Sequence, residues 1–205
     1  MDSLYTDKNL DEWKSITADL LDKNPLNIEE IVEITLDAWE RIFQSEICDL
    51  KIGKDIYPNP QMMGYFIETI IASHLSKKYP DIWKHGREKT EKDIVCLTNQ
   101  DYSIEVKSSS SSKQIFGNRS YAQQQSDTAT KSKDSFYLTI NFEKFSNFEE
   151  SDKAKPEITL IRFGYVEHSD WRGQKSEKGQ QANLSPFVYQ NKFIVLYDRK
   201  IALKK

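Results

Sequence analysis

The spacing of apolar residues changes period once along this chain, and that change constrains the architecture more than any other feature. Up to about residue 79 the pattern is helical. Leu10, Trp13, Ile16, Leu20 and Leu21 recur at helical intervals until Asn24-Pro25 interrupts them. Asn27 is placed to cap a second helix, with Glu29 and Glu30 in its first turn. Ile28, Ile31, Val32, Trp39, Ile42, Phe43 and Ile47 then mark one face of a long amphipathic helix reaching residue 50. The Gly- and Pro-containing stretch 53–61 reads as a loop. A third helix, from near Met62 to before Pro80, buries Phe66, Ile67, Ile70, Ile71, Ala72 and Leu75.

Beyond residue 92 the period is two. Residues 93–97 (DIVCL) and 102–106 (YSIEV) read as strands joined by a short polar turn. Residues 135–142, 157–166 and 192–198 complete a sheet, and the polar stretch 119–133 is either a crossover helix or a mobile loop. Helices followed by a mixed sheet with a crossover predict an α/β or α+β fold. No repeat or linker divides it, so one domain is expected over 1–205, with a helical subregion over 1–60 and a core over 61–205.

Composition narrows the class. A hydrophobic fraction of 38% and a charged fraction of 30% suit a soluble globular protein, and no apolar run approaches the roughly 18 residues of a membrane span. The first residues have neither a basic nor an apolar leader region, so no secretory signal is expected. Cys48 and Cys96 are the only cysteines, which disfavours a disulfide scaffold or a zinc site and favours a reducing cytoplasm. His74, His85 and His168 share no metal-binding spacing. Residues 1–104 carry 12 Lys+Arg against 20 Asp+Glu, while 105–205 carry 17 against 12. That asymmetry fits a basic half facing a polyanion, or a chance segregation of surface charge.

Charges at the ends of two apolar strands need a reason. With Asn99-Gln100-Asp101 as a three-residue hairpin loop, residues whose numbers sum to 200 lie opposite each other. Asp93 then faces Lys107, Val95 faces Glu105, and Asp93, Glu105 and Lys107 share one face. The two carboxylates become diagonal neighbours, about 7–8 Å apart at the backbone. With the main-chain carbonyl of Val106 they make a hard-oxygen set suited to Mg²⁺. Such an ion activates water against a phosphodiester, and Lys107 can orient that water, or deprotonate it if its own pKa is depressed.

These residues resemble the PD-(D/E)xK nuclease superfamily, and within it the type II restriction endonucleases. The matching pattern is Asp93, eleven intervening residues, then Glu105-Val106-Lys107, with Lys92-Asp93 where the family often has Pro-Asp. The tripeptide alone also occurs as Glu12-Trp13-Lys14 and Asp198-Arg199-Lys200, neither of which has an acid-led strand at hairpin distance before it. The resemblance implies a restriction-endonuclease-like mixed sheet flanked by helices and a bacterial or archaeal cytoplasmic protein. Many members carry a glutamate on the helix before the hairpin, which makes Glu68 a fourth catalytic candidate. The resemblance also implies a homodimer, since two-fold symmetry lets each subunit cut one strand of a palindrome.

Two segments offer DNA contacts. Ser108 opens a serine run, either a set of phosphate donors or a flexible connector. Lys113, Asn118, Arg119, Ser120, Tyr121 and Gln123 follow it, where restriction enzymes commonly approach DNA. Arg119 can clamp phosphate or read guanine. Residues 168–186 read as a long loop in which Arg172, Gln174, Lys175 and Gln181 can reach base edges. The expected function is Mg²⁺-dependent cleavage of double-stranded DNA at a short, palindromic sequence. A structure-specific repair nuclease, a non-catalytic DNA-binding module and a domain with no nucleic-acid role are the alternatives.

Overall fold

The computed structural model describes residues 3–122, 132–145, 155–174 and 180–203. Helix α1 (Leu10–Lys23) starts at a capping box, with Asn9 accepting from Glu12 N–H and the Glu12 side chain bonding back to Asn9 N–H. Helix α2 (Ile28–Gln44) is capped by Asn27 as expected, but it stops at Gln44. Residues beyond it turn back as a two-stranded ribbon, β1 (Glu46–Ile47) and β2 (Leu50–Lys51). Cys48 and Asp49 sit at positive φ in its turn, a conformation that no helix continues through. Ile47 is therefore exposed rather than part of the buried helix face. Helix α3 (Pro60–Lys78) begins with Asn59 as cap and Pro60 in its first turn, where the missing N–H costs nothing.

The main sheet has six strands in the order β11-β8-β7-β5-β4-β3. These are β3 (Trp83–His85), β4 (Ile94–Cys96), β5 (Ile104–Ser109), β7 (Ser135–Phe142), β8 (Ile158–Val166) and β11 (Phe193–Asp198). Only β5 and β7 run parallel, and every other pairing is antiparallel. The expected mixed α+β architecture is what the chain adopts. The parallel pair requires a crossover, which leaves β5 through β6 (Phe116–Asn118) and a 3₁₀ turn at Arg119–Ala122. The rest of 119–133 up to residue 131 lies outside the described residues.

The two sheet faces have different covers. One face, with Ile104, Val106, Phe136, Leu138, Ile140 and Phe163, packs against α2 and α3 in the larger core. Each such fully buried side chain contributes about 1.5–3 kcal/mol. The other face buries Tyr137, Val166 and Phe193 under Tyr121, Trp171, Ala182 and Leu184. Those last residues come from a second sheet of order β6-β10-β9, with β9 (Trp171–Gly173) and β10 (Gln181–Leu184), and its neighbouring turn. Helix α4 (Pro186–Asn191) and the short α5 (Arg199–Ala202) flank β11. Among the described residues no helix is long and apolar enough to cross a membrane.

Candidate active site

Strand β5 separates structure from chemistry by alternation. Ile104 and Val106 enter the helix-side core, and Ser108 follows them: a Cβ on Gly64 of α3 would stand 2.5 Å from Ser108 Oγ. Glu105 and Lys107 project to the other face, in register with Tyr137 and Thr139 of β7.

The β4–β5 register differs from the sequence expectation. Ile94 pairs with Ile104, so opposed numbers sum to 198 rather than 200. The reason is the connection, which is longer than a tight reversal at 99–101. Asn99 caps a 3₁₀ turn at Gln100–Tyr102, and Ser103 Oγ takes the N–H of Cys96 in place of a ladder carbonyl. An even shift keeps every side chain on its face, so Asp93 comes level with Glu105 instead of diagonal to it. Asp93 lies just beyond β4, and its Oδ2 accepts the N–H of Val106 at 2.7 Å. Its own carbonyl accepts from Gly86 N–H at 3.0 Å, which ties the residue to the β3 side.

Glu105 is 2% exposed. Its Oε1 receives two donors, Lys107 Nζ at 2.6 Å and the Tyr121 hydroxyl at 2.7 Å. Burial works against the charge on Lys107, but Glu105, Tyr121 and Asp93 more than offset it and hold the ammonium above the ordinary lysine range. The condition for Lys107 to deprotonate a water, a depressed pKa, is thus not met in this arrangement. Burial chiefly, with Glu105 adding to it, likewise keeps the Tyr121 phenol protonated against the influence of Lys107.

The centre opens into a cleft of about 540 Å³ between β5 and β6. Lys89, Thr90, Asn118, Ser120 and Lys133 line it beside Glu105 and Lys107. Lys89, Thr90 and Lys133 were not candidates in the sequence; the first two lie shortly before Asp93, and Lys133 shortly before β7. The Lys133 ammonium stands 4.2 Å from the centre of the Tyr121 ring.

The two segments read as separate DNA-contacting stretches form one sheet. Strand β10 pairs with β6 and with β9, bringing Gln181 opposite Asn118 and Asn183 opposite both Phe116 and Arg172. Alternation buries Gly117, Trp171, Ala182 and Leu184 and turns Asn118, Arg172, Gln181 and Asn183 outward. Gln174 extends this edge through its N–H to Gln181, and Arg119 N–H bonds Gln180 at the opposite edge. Residues 168–186 are therefore not one structureless loop; the reason lies in pairing partners far away in sequence, Gln181 with Asn118 and Asn183 with Phe116.

The remaining candidates are distributed as follows. Tyr121 is buried on Glu105 rather than exposed toward a ligand. Ser108 lies against α3, away from Lys107. The serine run is pinned: Asn141 Nδ2 donates to the carbonyls of Ser111 and Gln114, and Arg162 donates to that of Lys113. The Lys113 side chain is exposed. Gln123 and Lys175 lie outside the described residues. Glu68 is half-buried on α3, in the layer across the sheet from the Glu105 side chain. Among the described residues no three His, Cys, Asp or Glu side chains close on a point suited to a metal, so the converging acids are a pair. Both competing tripeptides are structural: Glu12 completes the α1 capping box, and Asp198 caps α5 through Lys200 N–H.

A metal would find hard oxygens from Asp93 and Glu105 flanking the Val106 main chain, and the positive Lys107 already responds to both acids. That donor chemistry fits Mg²⁺. A family model described as ScaI restriction endonuclease matches residues 3–197. A type II restriction enzyme, ScaI of Streptomyces caespitosus, is 36% identical over 197 residues, covering 96% of this chain and 85% of that protein.

Proposed function

This chain belongs to the ScaI restriction endonuclease family, and from that premise we propose that Asp93, Glu105 and Lys107 are its catalytic centre. It is a site-specific nuclease of the type II restriction class, acting on DNA. The repair-nuclease and non-catalytic alternatives fall away with that membership. The finer reading is hydrolysis of double-stranded DNA at a short palindrome with Mg²⁺, on a PD-(D/E)xK centre. The observation that carries it is the Asp93–Glu105–Lys107 grouping along β5, with Glu105 and Lys107 on the wall of a lysine-lined cleft.

Asp93, Glu105 and the Val106 carbonyl would hold the ion. Bound there, Mg²⁺ supplies a lowered water pKa and offsets charge building on the phosphate oxygens. The chain's own groups do the rest. Asp93 is kept in place by Val106 N–H, and Glu105 by Lys107 and Tyr121. Lys107 orients the attacking water and neutralises the developing negative charge. Lys89 and Lys133 attract flanking phosphates into the cleft. The outward face of β6-β10-β9, with Asn118, Arg172 and Gln181, reads base edges, and Arg119 and Gln174 extend it. Glu68, on α3 across the sheet from the Glu105 side chain, would support the centre only indirectly, through the packing beneath β5. Two copies act together, one on each strand of the palindrome.

The deciding experiment incubates plasmid DNA with the protein and Mg²⁺ or with EDTA, and sequences the ends of any fragments. Discrete fragments sharing one symmetric sequence, absent in EDTA, are expected. Cutting that persists in EDTA would remove the metal-dependent reading, and ends without a common sequence would remove the palindrome.

A further inference from the structure

Tyr121 lies where the two halves of the proposed machinery meet. It belongs to the 3₁₀ turn Arg119–Ala122, which follows β6 directly and so moves with the reading sheet. Its hydroxyl, however, donates to Glu105 Oε1 at 2.7 Å on the main sheet. The packing around the ring leaves no slack. A Cβ on Gly117 of β6 would come within 2.8 Å of Tyr121 Cγ and 3.2 Å of Trp171 Cζ3. The Trp171 ring of β9 is centred 4.8 Å from that of Tyr121. Both outer strands of the reading sheet thus grip the ring with their inner faces. Their outward residues, Asn118 and Arg172, are each one position along from Gly117 and Trp171.

A phenylalanine would fill the same space. The hydroxyl is needed only for its hydrogen bond, and a buried phenol requires a partner. That partner is the carboxylate assigned to the metal. We infer that Tyr121 is a positioning residue that transmits the seating of the reading sheet on DNA to the orientation of Glu105. The inference rests on the catalytic reading above. Its consequence is discrimination expressed in the cleavage rate beyond that in binding. A sheet displaced by a mismatched site carries the Tyr121 hydroxyl off Glu105, and Oε1 then loses an orienting donor.

The test uses Tyr121→Phe on a plasmid fragment carrying the cleaved site and on the same fragment with one base pair changed. DNA affinity in EDTA should stay at the wild-type level. Single-turnover cleavage should fall about 10–100-fold, as for other residues that orient a metal ligand. Mn²⁺ affinity of the protein–DNA complex, followed by electron paramagnetic resonance, should weaken, and the rate ratio between correct and altered fragments should narrow. Wild-type rate and Mn²⁺ affinity would overturn the positioning role; an unchanged ratio would overturn the coupling. Glu105→Gln is the control. If it cuts normally, the catalytic reading itself fails, whereas an inactive Glu105→Gln beside an indifferent Tyr121→Phe rejects only this inference. Gly117→Ala, which pushes on the ring from the sheet side, should lower the rate similarly and add nothing in the Tyr121→Phe background. Losses that multiply in the double variant would also reject the coupling.

Discussion

The carboxylate of Asp93 takes the main-chain N–H of Val106 at 2.7 Å, at the point where β4 and β5 part. This side chain thus closes a ladder position that no carbonyl fills, besides supplying a charge. Asp93→Asn keeps an acceptor and should retain the fold while abolishing cleavage. Asp93→Ala also leaves the Val106 N–H without its acceptor and should destabilise by about 1–3 kcal/mol. Thermal unfolding separates the two; equal melting temperatures would refute the structural half.

Lys107 contacts Glu105 and is charged in this arrangement. Lys107→Ala should eliminate cutting while leaving DNA binding, as measured by filter retention in EDTA beside a plasmid assay. Glu68→Gln, in the layer beyond the sheet, should slow cleavage less than any change at Asp93, Glu105 or Lys107. Undiminished cutting by Lys107→Ala would reject its catalytic assignment.

Cleft lysines and sheet-face residues should fail differently. Lys89→Ala and Lys133→Ala should weaken binding to all sequences and each reduce the slope of log affinity against log salt by about 1. Arg172→Ala or Gln181→Ala should instead cost about 1–3 kcal/mol on the correct site and relax preference at one base position. Binding titrations at several salt concentrations, on matched and altered duplexes, distinguish the classes.

The proposed homodimer should use the ribbon after α2. Ile47 and Leu50 are 54% and 49% exposed there, with Tyr57 at 54% nearby in sequence. Paired apolar side chains of this kind favour association with another surface. The double change Ile47→Glu and Leu50→Glu should convert a dimer to a monomer in sedimentation velocity and slow cutting of both strands. A dimer surviving that change locates the contact elsewhere.

Lys192 is 1% exposed and its ammonium lies between Glu167 Oε2 at 3.0 Å and Asp170 Oδ2 at 2.7 Å, over the Tyr5 ring. Lys192→Met removes one side of a buried charge network and leaves two carboxylates uncompensated. It should destabilise by about 3–5 kcal/mol, read from urea unfolding. A loss under ~1 kcal/mol would mean that water reaches the carboxylates.

The period change near residue 80, the cap at Asn27, and the strands read over 135–142, 157–166 and 192–198 depend on local spacing, so the chain states them directly, to within a residue at their ends. The face shared by Asp93, Glu105 and Lys107 was legible for the same reason, because alternation survives any even slip in register. The register itself was not legible. Asn99 and Ser103 replace a tight turn with side-chain hydrogen bonds, a choice that composition does not announce. Nor does sequence pair β6 with β10, turn Tyr121 from an outward contact into a donor to Glu105, or bring Lys89 and Lys133 to one cleft. Those relations join residues far apart along the chain. Only the packing of one sheet on another decides them, because the free energy that selects such contacts exists only once both partners are buried together.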